Sequence, residues 1–369
     1  MAAATERKPA LGKLESLGAK MVGEVERGDS PTFDTALRSK SNILYDEAIG
    51  CLRLGPNTES RTFVNVAQAK KFMQTVAVAS RCKKFLEEDA HASIRGLFYQ
   101  LKYSLGEEFD EELFSEQEES NPLIEDLEVA LKLKREDLNL NTDRKGVVAG
   151  SMVLMDKFGG EKTEIDCAKQ GRSGWMVPSD VDNGMDFVSV DADWVLVVEK
   201  DALWQRLNED KFWKKENCIL VTPKGQASRG CRRLIRKLAN RKLPVIVFTD
   251  NDAWGWYIYW AIKTGSINLA YLANDIATPE ARFIGMTMQD LKDYDFLNKL
   301  TIKAKDVDVK RAEEMLAYPW IARHKEWVVE LKAVIKSRRK IEQDALQGQR
   351  LSFVGEYLRE KMGKKKFLP

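Results

Sequence analysis

Three carboxylates follow two short apolar segments in the second half of the sequence. The run at 245–248 leads into Asp250 and Asp252, and the run at 194–198 leads into Glu199. Runs this short, apolar and rich in valine predict buried strands. Because open α/β sheets place their sites at the C-terminal strand ends, we expect the three carboxylates to converge. Such a group of like charges predicts Mg²⁺ or another oxygen-preferring metal ion, although the aspartates would serve equally to open a turn.

A tyrosine flanked by two cations lies in the first half. Apolar residues recur at helical spacing over 94–105, with Ser93 as a candidate N-cap. On this helix Arg95, Tyr99 and Lys102 fall together beside the apolar stripe. A phenol with a pKa near 10 is a poor nucleophile, and Arg95 could stabilise its phenolate while holding a phosphate. A lone tyrosine is usually an ordinary exposed aromatic, and Tyr103 is the rival nucleophile.

Basic residues cluster just before the predicted strand at 245–248. They are therefore expected near the edge of the sheet that carries Glu199, Asp250 and Asp252, here called the carboxylate edge. Residues 229–242 carry seven Arg or Lys side chains, and helical spacing turns Arg232, Arg233 and Arg236 outward. Such a face is usually only solvated, but beside a carboxylate site it is predicted to follow phosphates. Lys224, in a glycine-containing loop, and Lys145, near Gly146, are further candidates for such contacts.

Composition limits the possible classes. A chain of 369 residues exceeds the size of a single core, which predicts two domains with extensions. Five scattered cysteines indicate reduced thiols, and only two histidines make zinc or histidine catalysis improbable. We expect neither secretion nor a membrane span, because no apolar run reaches the required length. Residues 1–30 lack clear periodicity and are predicted to be flexible or to depend on a partner for order.

The order of predicted elements suggests two folded parts. Helices at 64–88, 94–105 and 121–135, followed by strands at 138–149 and 151–155, have the order of a winged-helix (CAP-like) DNA-binding domain. Further on, strands alternate with helices, which predicts a mainly parallel sheet. Strands are expected at 218–221, at 268–272 and near 283–287 as well, and residues 305–369 look helical. The fold class is therefore α/β multi-domain.

Several motifs together resemble one family. They are RGLFY at 95–99, VEKDA at 198–202, KGQ at 224–226, RR at 232–233 and DNDAWGWYI at 250–258. A strand ending in glutamate and a later one ending in D-x-D are similar to the Toprim domain of topoisomerases, primases and related nucleases. The fuller set resembles the A-subunit family of DNA topoisomerase VI, over about residue 65 to the C-terminus. The related meiotic double-strand-break endonucleases are the nearest alternative.

The resemblance implies a division of the chain and a role for its site residues. Residues 1–65 would form an N-terminal extension that contacts a partner subunit, 66–155 the winged-helix domain, and 156–369 the Toprim domain with a helical C-terminal extension. Tyr99 would attack DNA with Arg95 beside it, and Mg²⁺ would bind Glu199, Asp250 and Asp252. The predicted DNA contacts are Lys102, Lys145, Lys224, Arg232, Arg233 and Arg236. The product would be a transient double-strand break held by 5′-phosphotyrosyl links, through which another duplex passes.

The resemblance also implies partners. Double-stranded DNA is the expected substrate, and two copies would each cut one strand. The sequence GGEKT at 159–163 lacks P-loop spacing, so the ATPase is expected on a separate GHKL-type B subunit in an A2B2 complex. The resemblance implies an archaeal source and a place at the cytoplasmic nucleoid. The alternatives are a non-covalent Toprim nuclease, or a winged-helix DNA-binding protein with a degenerate sheet domain.

Overall fold

The computed structural model describes residues 8–103 and 112–369. Two compact units are present: Met1–Ile43 with Leu54–Asp143, and Leu44–Arg53 with Arg144–Pro369. Among the helices in the described ranges, none is both long enough and apolar enough to cross a membrane.

The helices and strands are given in chain order. The α-helices of the described ranges are α1 Lys8–Glu26, α2 Val66–Glu87, α3 Ile94–Leu101, α4 Ser120–Leu131, α5 Asp201–Glu209, α6 Phe212–Lys215, α7 Arg229–Asn240, α8 Ala253–Thr264, α9 Ala273–Ile276, α10 Asp290–Asp293, α11 Asp306–Leu316, α12 Pro319–Ala322, α13 Lys325–Ser337 and α14 Phe353–Gly363. The strands are β1 Thr32–Ala36, β2 Ile43–Asp46, β3 Cys51–Leu54, β4 Thr58–Thr62, β5 Ala92–Ser93, β6 Leu140–Asn141, β7 Val147–Ala149, β8 Met152–Phe158, β9 Glu161–Asp166, β10 Trp175–Met176, β11 Met185–Val190, β12 Trp194–Val198, β13 Cys218–Thr222, β14 Val245–Phe248, β15 Arg282–Gly285, β16 Ile302–Lys303 and β17 Arg339–Lys340.

The first unit is a helical core with a small sheet. Helix α2 is capped by Asn65, whose side chain accepts a hydrogen bond from the Ala67 N–H. The helices predicted from 64 and from 94 are confirmed, and α4 ends earlier than expected, with Lys132 in the left-handed region. Helix α3 ends at Leu101. The rest of its predicted length, to 105, lies partly outside the described residues.

The expectation that residues 1–30 are flexible or depend on a partner for order is wrong for the described part. Residues from Lys8 onward form α1, and Ala10, Leu14 and Met21 are buried in the core of the first unit. Leu14 and Met21 stand seven residues apart, on one helical face, so their burial stabilises the helix within the chain itself.

The hairpin predicted at 138–155 as the wing is also wrong. Strand β7 pairs antiparallel with β13 and β10, whereas β8 pairs with β9 and β11 in a separate three-stranded sheet. All three residues of β7 are buried, because the strand lies inside the large sheet rather than at a solvated tip. A two-stranded wing would leave such an apolar strand exposed on one face.

The second unit contains a six-stranded sheet in the order β10-β7-β13-β12-β14-β15. Strands β13, β12, β14 and β15 are parallel, as predicted, and every residue of β12, β13 and β14 is buried. Val198 pairs with Phe248, so the chain leaves β12 and β14 side by side at one edge of the sheet. Such neighbouring C-terminal ends form the usual position of a site in an open α/β sheet.

Two further predictions concern the later part of the chain. The strand expected at 268–272 is wrong, since Ile267–Leu272 forms a 3-10 helix in which only Ala270 and Leu272 are buried. A strand in this sheet would need burial on both faces. Residues 305–369 are largely helical, as expected, but β17 interrupts them by pairing with β16.

Candidate active site

Helix α3 presents Tyr99 to solvent. The Ser93 hydroxyl accepts a hydrogen bond of 2.9 Å from the Gly96 N–H, which fixes the start of the helix. Leu97, Phe98 and Leu101 are buried on the opposite side, and Tyr99 is 60% exposed. The spacing of the apolar residues therefore determines that this phenol points outward.

Arg95 lies against Tyr99, as the helical spacing predicts. The guanidinium carbon is 5.9 Å from the centre of the Tyr99 ring, and a hydrogen bond to Tyr99 raises the pKa of Arg95 above its ordinary value. Lys102 instead caps the end of the helix, over the Phe98 ring and 3.4 Å from Glu112. Tyr103 is also exposed, but it lies beyond the helix, and the residue four positions before it is Tyr99 rather than an arginine. The structure thus brings Arg95 and Tyr99 together and places Lys102 in a separate contact.

Glu199 and Asp250 meet at the ends of β12 and β14. The Glu199 carboxylate accepts a 3.0 Å hydrogen bond from the Asp250 N–H, and one Asp250 oxygen accepts a 2.7 Å bond from the Gln343 N–H. Asp252 caps α8 by accepting bonds from the N–H groups of Trp254 and Gly255, at 3.0 and 2.8 Å. Each of the three carboxylates therefore has one oxygen fixed by backbone N–H groups.

Gly255 allows this close approach. A Cβ at that position would lie 2.4 Å from the Asp250 carbonyl oxygen, far inside van der Waals contact. Any larger residue would push α8 away from the strand that carries Asp250. The glycine in the sequence D-x-D-x-x-G is thus required by packing.

The electrostatics of this edge favour a cation. Burial, and next the Asp250 charge, raise the pKa of Glu199 to about 8. Burial also raises the pKa of Asp250 to about 6, although the Gln343 N–H and the Lys200 ammonium oppose that rise. A positive charge among these carboxylates would remove most of this penalty.

Two lysines supply positive charge at this edge. The Lys200 ammonium is 3.2 Å from Asp250, and the Lys340 ammonium is 3.1 Å from Asp252. Within the described ranges, no three His, Cys, Asp or Glu side chains already form a ready metal centre. Even so, three adjacent carboxylates, two of them in contact with ammonium groups, suit a hard divalent cation by the chemistry of their oxygens.

The outward orientation predicted for the arginines of α7 is wrong for Arg232, whereas the side chains of Arg233 and Arg236 are 20% and 25% exposed. Arg232 is only 3% exposed, and burial lowers its pKa to about 10. Its Nε and one terminal nitrogen have no hydrogen-bond partner among the residues that the structure describes. Arg233 pairs with Asp182 and Asp275, and Arg236 pairs with Glu280. The helical spacing could not reveal this arrangement, because α9 also packs against α7.

Lys224 lies on the loop that follows β13, and Lys145 is bonded to the same loop. The Lys145 ammonium donates a 2.9 Å bond to the Gln226 carbonyl, and Lys224 is exposed, 3.5 Å from Asp201. The Gly225 N–H donates to the Glu199 carbonyl at 2.9 Å. The structure therefore brings these two predicted cations to the loop beside the carboxylate edge.

Sequence reasoning missed several charged residues of the site. Lys200 stands within the VEKDA motif, next to Glu199, so its proximity was available from the sequence. Lys340 and its neighbours Glu342 and Asp344 lie about 140 residues further on, and no local pattern connects them with β12.

Comparison with known proteins agrees with this architecture. The family model for the Toprim domain of the topoisomerase 6 A-subunit/Spo11 proteins matches residues 194–362, which contain the sheet edge with the carboxylates. Residues 70–140 match "Type IIB DNA topoisomerase", and residues 145–191 match "All-beta domain in DNA topoisomerase VI alpha subunit". The fold and site thus define a Toprim protein of the type IIB DNA topoisomerase class.

Curated relatives cover nearly the whole chain. The type 2 DNA topoisomerase 6 A-subunit proteins of Pyrococcus abyssi and Pyrococcus horikoshii are each 44% identical over 97% of this chain and 95% of their own length. That of Aeropyrum pernix is 38% identical over 93% of this chain and 91% of its own. The chain belongs to the topoisomerase 6 A-subunit/Spo11 family.

Proposed function

We propose that this chain is the DNA-cleaving and rejoining subunit of an ATP-dependent type IIB topoisomerase. It would make a transient double-strand break through 5′-phosphotyrosyl links, so that a second duplex can pass. The observation that carries this proposal is Tyr99, an exposed phenol on a firmly capped helix with the Arg95 guanidinium against its ring.

Tyr99 is the proposed nucleophile. Its oxygen would form a bond to the scissile phosphorus while the bond from phosphorus to the 3′ oxygen breaks. The phenolic proton leaves and the 3′ oxygen gains a proton, so the DNA ends as a 5′-phosphotyrosyl link and a free 3′ hydroxyl. Because one phosphodiester replaces another, the reverse attack by that hydroxyl rejoins the strand. Arg95 would hold the phosphate and stabilise the phenolate as a charge-assisted donor.

Glu199, Asp250 and Asp252 are the proposed ligands of Mg²⁺. When bound, that ion supplies positive charge to the phosphoryl oxygens and the departing 3′ oxygen. The protein's own contribution is orientation: the Asp250 N–H holds Glu199, the Gln343 N–H holds Asp250, and the first turn of α8 holds Asp252.

DNA would be held by cations near the carboxylates and by others near Tyr99. Lys224 and Lys145 lie on or against the loop bonded to Glu199, and Lys102 caps the helix that carries Tyr99. The unit that contains α2, α3 and α4 is the proposed winged-helix-like DNA-binding part. The relatives' names designate one lettered subunit of a larger enzyme, which supports a partner chain. That chain would be the GHKL-type ATPase, and two copies of the present chain would each cut one strand.

The proposal is tested by trapping the covalent adduct. Purified protein, its ATPase partner and duplex DNA are incubated with Mg²⁺ and quenched in denaturant, and protein attached to 5′ ends is quantified. We expect Tyr99→Phe to remove the adduct while retaining DNA binding, and the matched Tyr103→Phe variant to keep it. A normal adduct yield from Tyr99→Phe would overturn the proposal.

The same assay separates the alternative activities. Hydrolysed DNA without any adduct would identify a non-covalent Toprim nuclease. Binding that is indifferent to divalent metal, without cleavage, would identify a DNA-binding protein. Adducts that never rejoin in the complete complex would point to the meiotic type of endonuclease.

A further inference from the structure

Lys200 and Lys340 each join an inner carboxylate to outer carboxylates. The Lys200 ammonium contacts inner Asp250 at 3.2 Å and outer Glu342 and Asp344 at 3.0 and 2.6 Å. The Lys340 ammonium contacts inner Asp252 at 3.1 Å and outer Asp308 at 3.5 Å. Inner carboxylates are here those proposed to bind Mg²⁺, and outer ones are those proposed not to.

These contacts are held in a partly desolvated place. The side chains of Lys200 and Lys340 are 24% and 15% exposed, and those of Asp250 and Asp252 are 11% and 10% exposed. Ion pairs with so little solvent are screened less than surface pairs, so each lysine influences its carboxylate appreciably.

A divalent cation on the same oxygens would repel both ammonium groups. At separations of a few ångströms, an ammonium and a dication on the same carboxylate oxygen repel each other. This repulsion favours movement of each lysine away from its inner carboxylate when metal binds. The outer carboxylates can then hold the two ammonium groups, because both lysines already contact them.

We propose that Lys200 and Lys340 are positioning residues that hold Asp250 and Asp252 in place in the metal-free protein and transfer fully to Glu342, Asp344 and Asp308 when a divalent cation binds. This inference rests on the proposed metal site. For Lys200 the transfer gives up one contact and keeps two, both shorter than the one that is lost.

The lysines therefore compete with the metal, and the outer carboxylates weaken that competition. The test measures binding of Mn²⁺ to the full chain without DNA, by electron paramagnetic resonance of free Mn²⁺. We expect Lys200→Met and Lys340→Met each to tighten Mn²⁺ binding about fivefold, the effect of removing one partly buried ion pair. The matched control is Lys157→Met, since Lys157 pairs with Asp186 in the separate three-stranded sheet and should change the affinity less than about twofold.

A double-mutant cycle separates transfer of Lys200 from a general change of charge. Asp344→Asn should weaken Mn²⁺ binding about threefold in the wild type, because Lys200 then turns more firmly to Asp250, and should have no effect in Lys200→Met. An Asp344→Asn effect that is equal in both backgrounds would overturn the inference, as would unchanged or weaker Mn²⁺ binding by both lysine variants. If one lysine variant fails to fold, the Mn²⁺ affinity of the other variant tests the inference.

Failure of the metal site itself gives a different result. Wild-type protein that binds no Mn²⁺, or that binds it as well after Asp250→Asn with Asp252→Asn, would reject the proposed ligands. Wild-type binding that is lost in that double variant but unaffected by the lysine substitutions would reject only the role of the lysines.

Discussion

Asp252 combines two tasks that a pair of substitutions can separate. One of its oxygens accepts hydrogen bonds from two N–H groups of α8, and the other lies 3.1 Å from the Lys340 ammonium. Asparagine keeps an oxygen for the helix but loses the charge, whereas alanine loses both. We therefore expect Asp252→Ala to be less stable than Asp252→Asn, with neither variant cleaving DNA.

The size of the stability difference between Asp252→Ala and Asp252→Asn follows from the contacts of Asp252. Both substitutions remove the ion pair with Lys340 and the repulsion from Asp250, so these contributions cancel in the comparison. The remaining difference is the N-cap of α8, worth about 1 kcal/mol. Urea unfolding followed by far-UV circular dichroism, with chelator present, measures this difference in unfolding free energy. Both unfolding curves are fitted with the same dependence of the free energy on urea concentration.

Asn65→Ala is the matched control for a cap without a role in the site. Asn65 caps α2 through the Ala67 N–H, so its loss should also cost about 1 kcal/mol while adduct formation persists. Equal stability of the two Asp252 variants would refute the capping argument. Normal adduct yield in Asp252→Asn would refute its assignment to the metal site.

Two further predictions concern buried charges of the second unit. Lys361→Met should lower the unfolding free energy by about 3–5 kcal/mol, because it leaves Asp290, which is fully buried and 2.7 Å from the Lys361 ammonium, without its counter-charge. Urea unfolding measures this, and a loss below about 1 kcal/mol would contradict it. Burial lowers the pKa of Lys263 from 10.5 to about 8. Between these values the unfolded chain keeps a proton that the folded chain has lost, so stability should rise with pH over this window relative to Lys263→Met, by up to about 1.4 kcal/mol per pH unit. A difference in unfolding free energy between the wild type and Lys263→Met that does not change with pH would exclude the lowered pKa of Lys263.

The carboxylate edge was predictable because its signal is local. The runs before Glu199 and Asp250 are short, apolar and β-branched, and such runs have few alternatives to a buried strand. The Arg95 and Tyr99 pair was predictable for the same reason, since both lie on one turn of a helix whose apolar face is plain.

Other features depend on contacts that are distant in sequence. An apolar run such as β7 has the same sequence pattern in a wing as in a large sheet. Only the pairing of β7 with β13 distinguishes the two arrangements. Arg232 lies on the polar side of α7 by periodicity, yet it is buried and contacts Ser266, which is 34 residues further along the chain. Lys340 reaches Asp252 from 88 residues away, which no pattern within either segment records.

The site is assembled from two parts that should open at different rates. Glu199 and Asp250 follow β12 and β14, which are buried throughout and paired on both sides. The segment with Lys340 is attached through the two-residue β17 and a bridge between Asn251 and Ile341. Local opening free energies follow backbone hydrogen bonding and burial. Amide hydrogens of residues 339–344 should therefore exchange long before those of the strands, so the carboxylates can become accessible while the sheet that orients them stays folded.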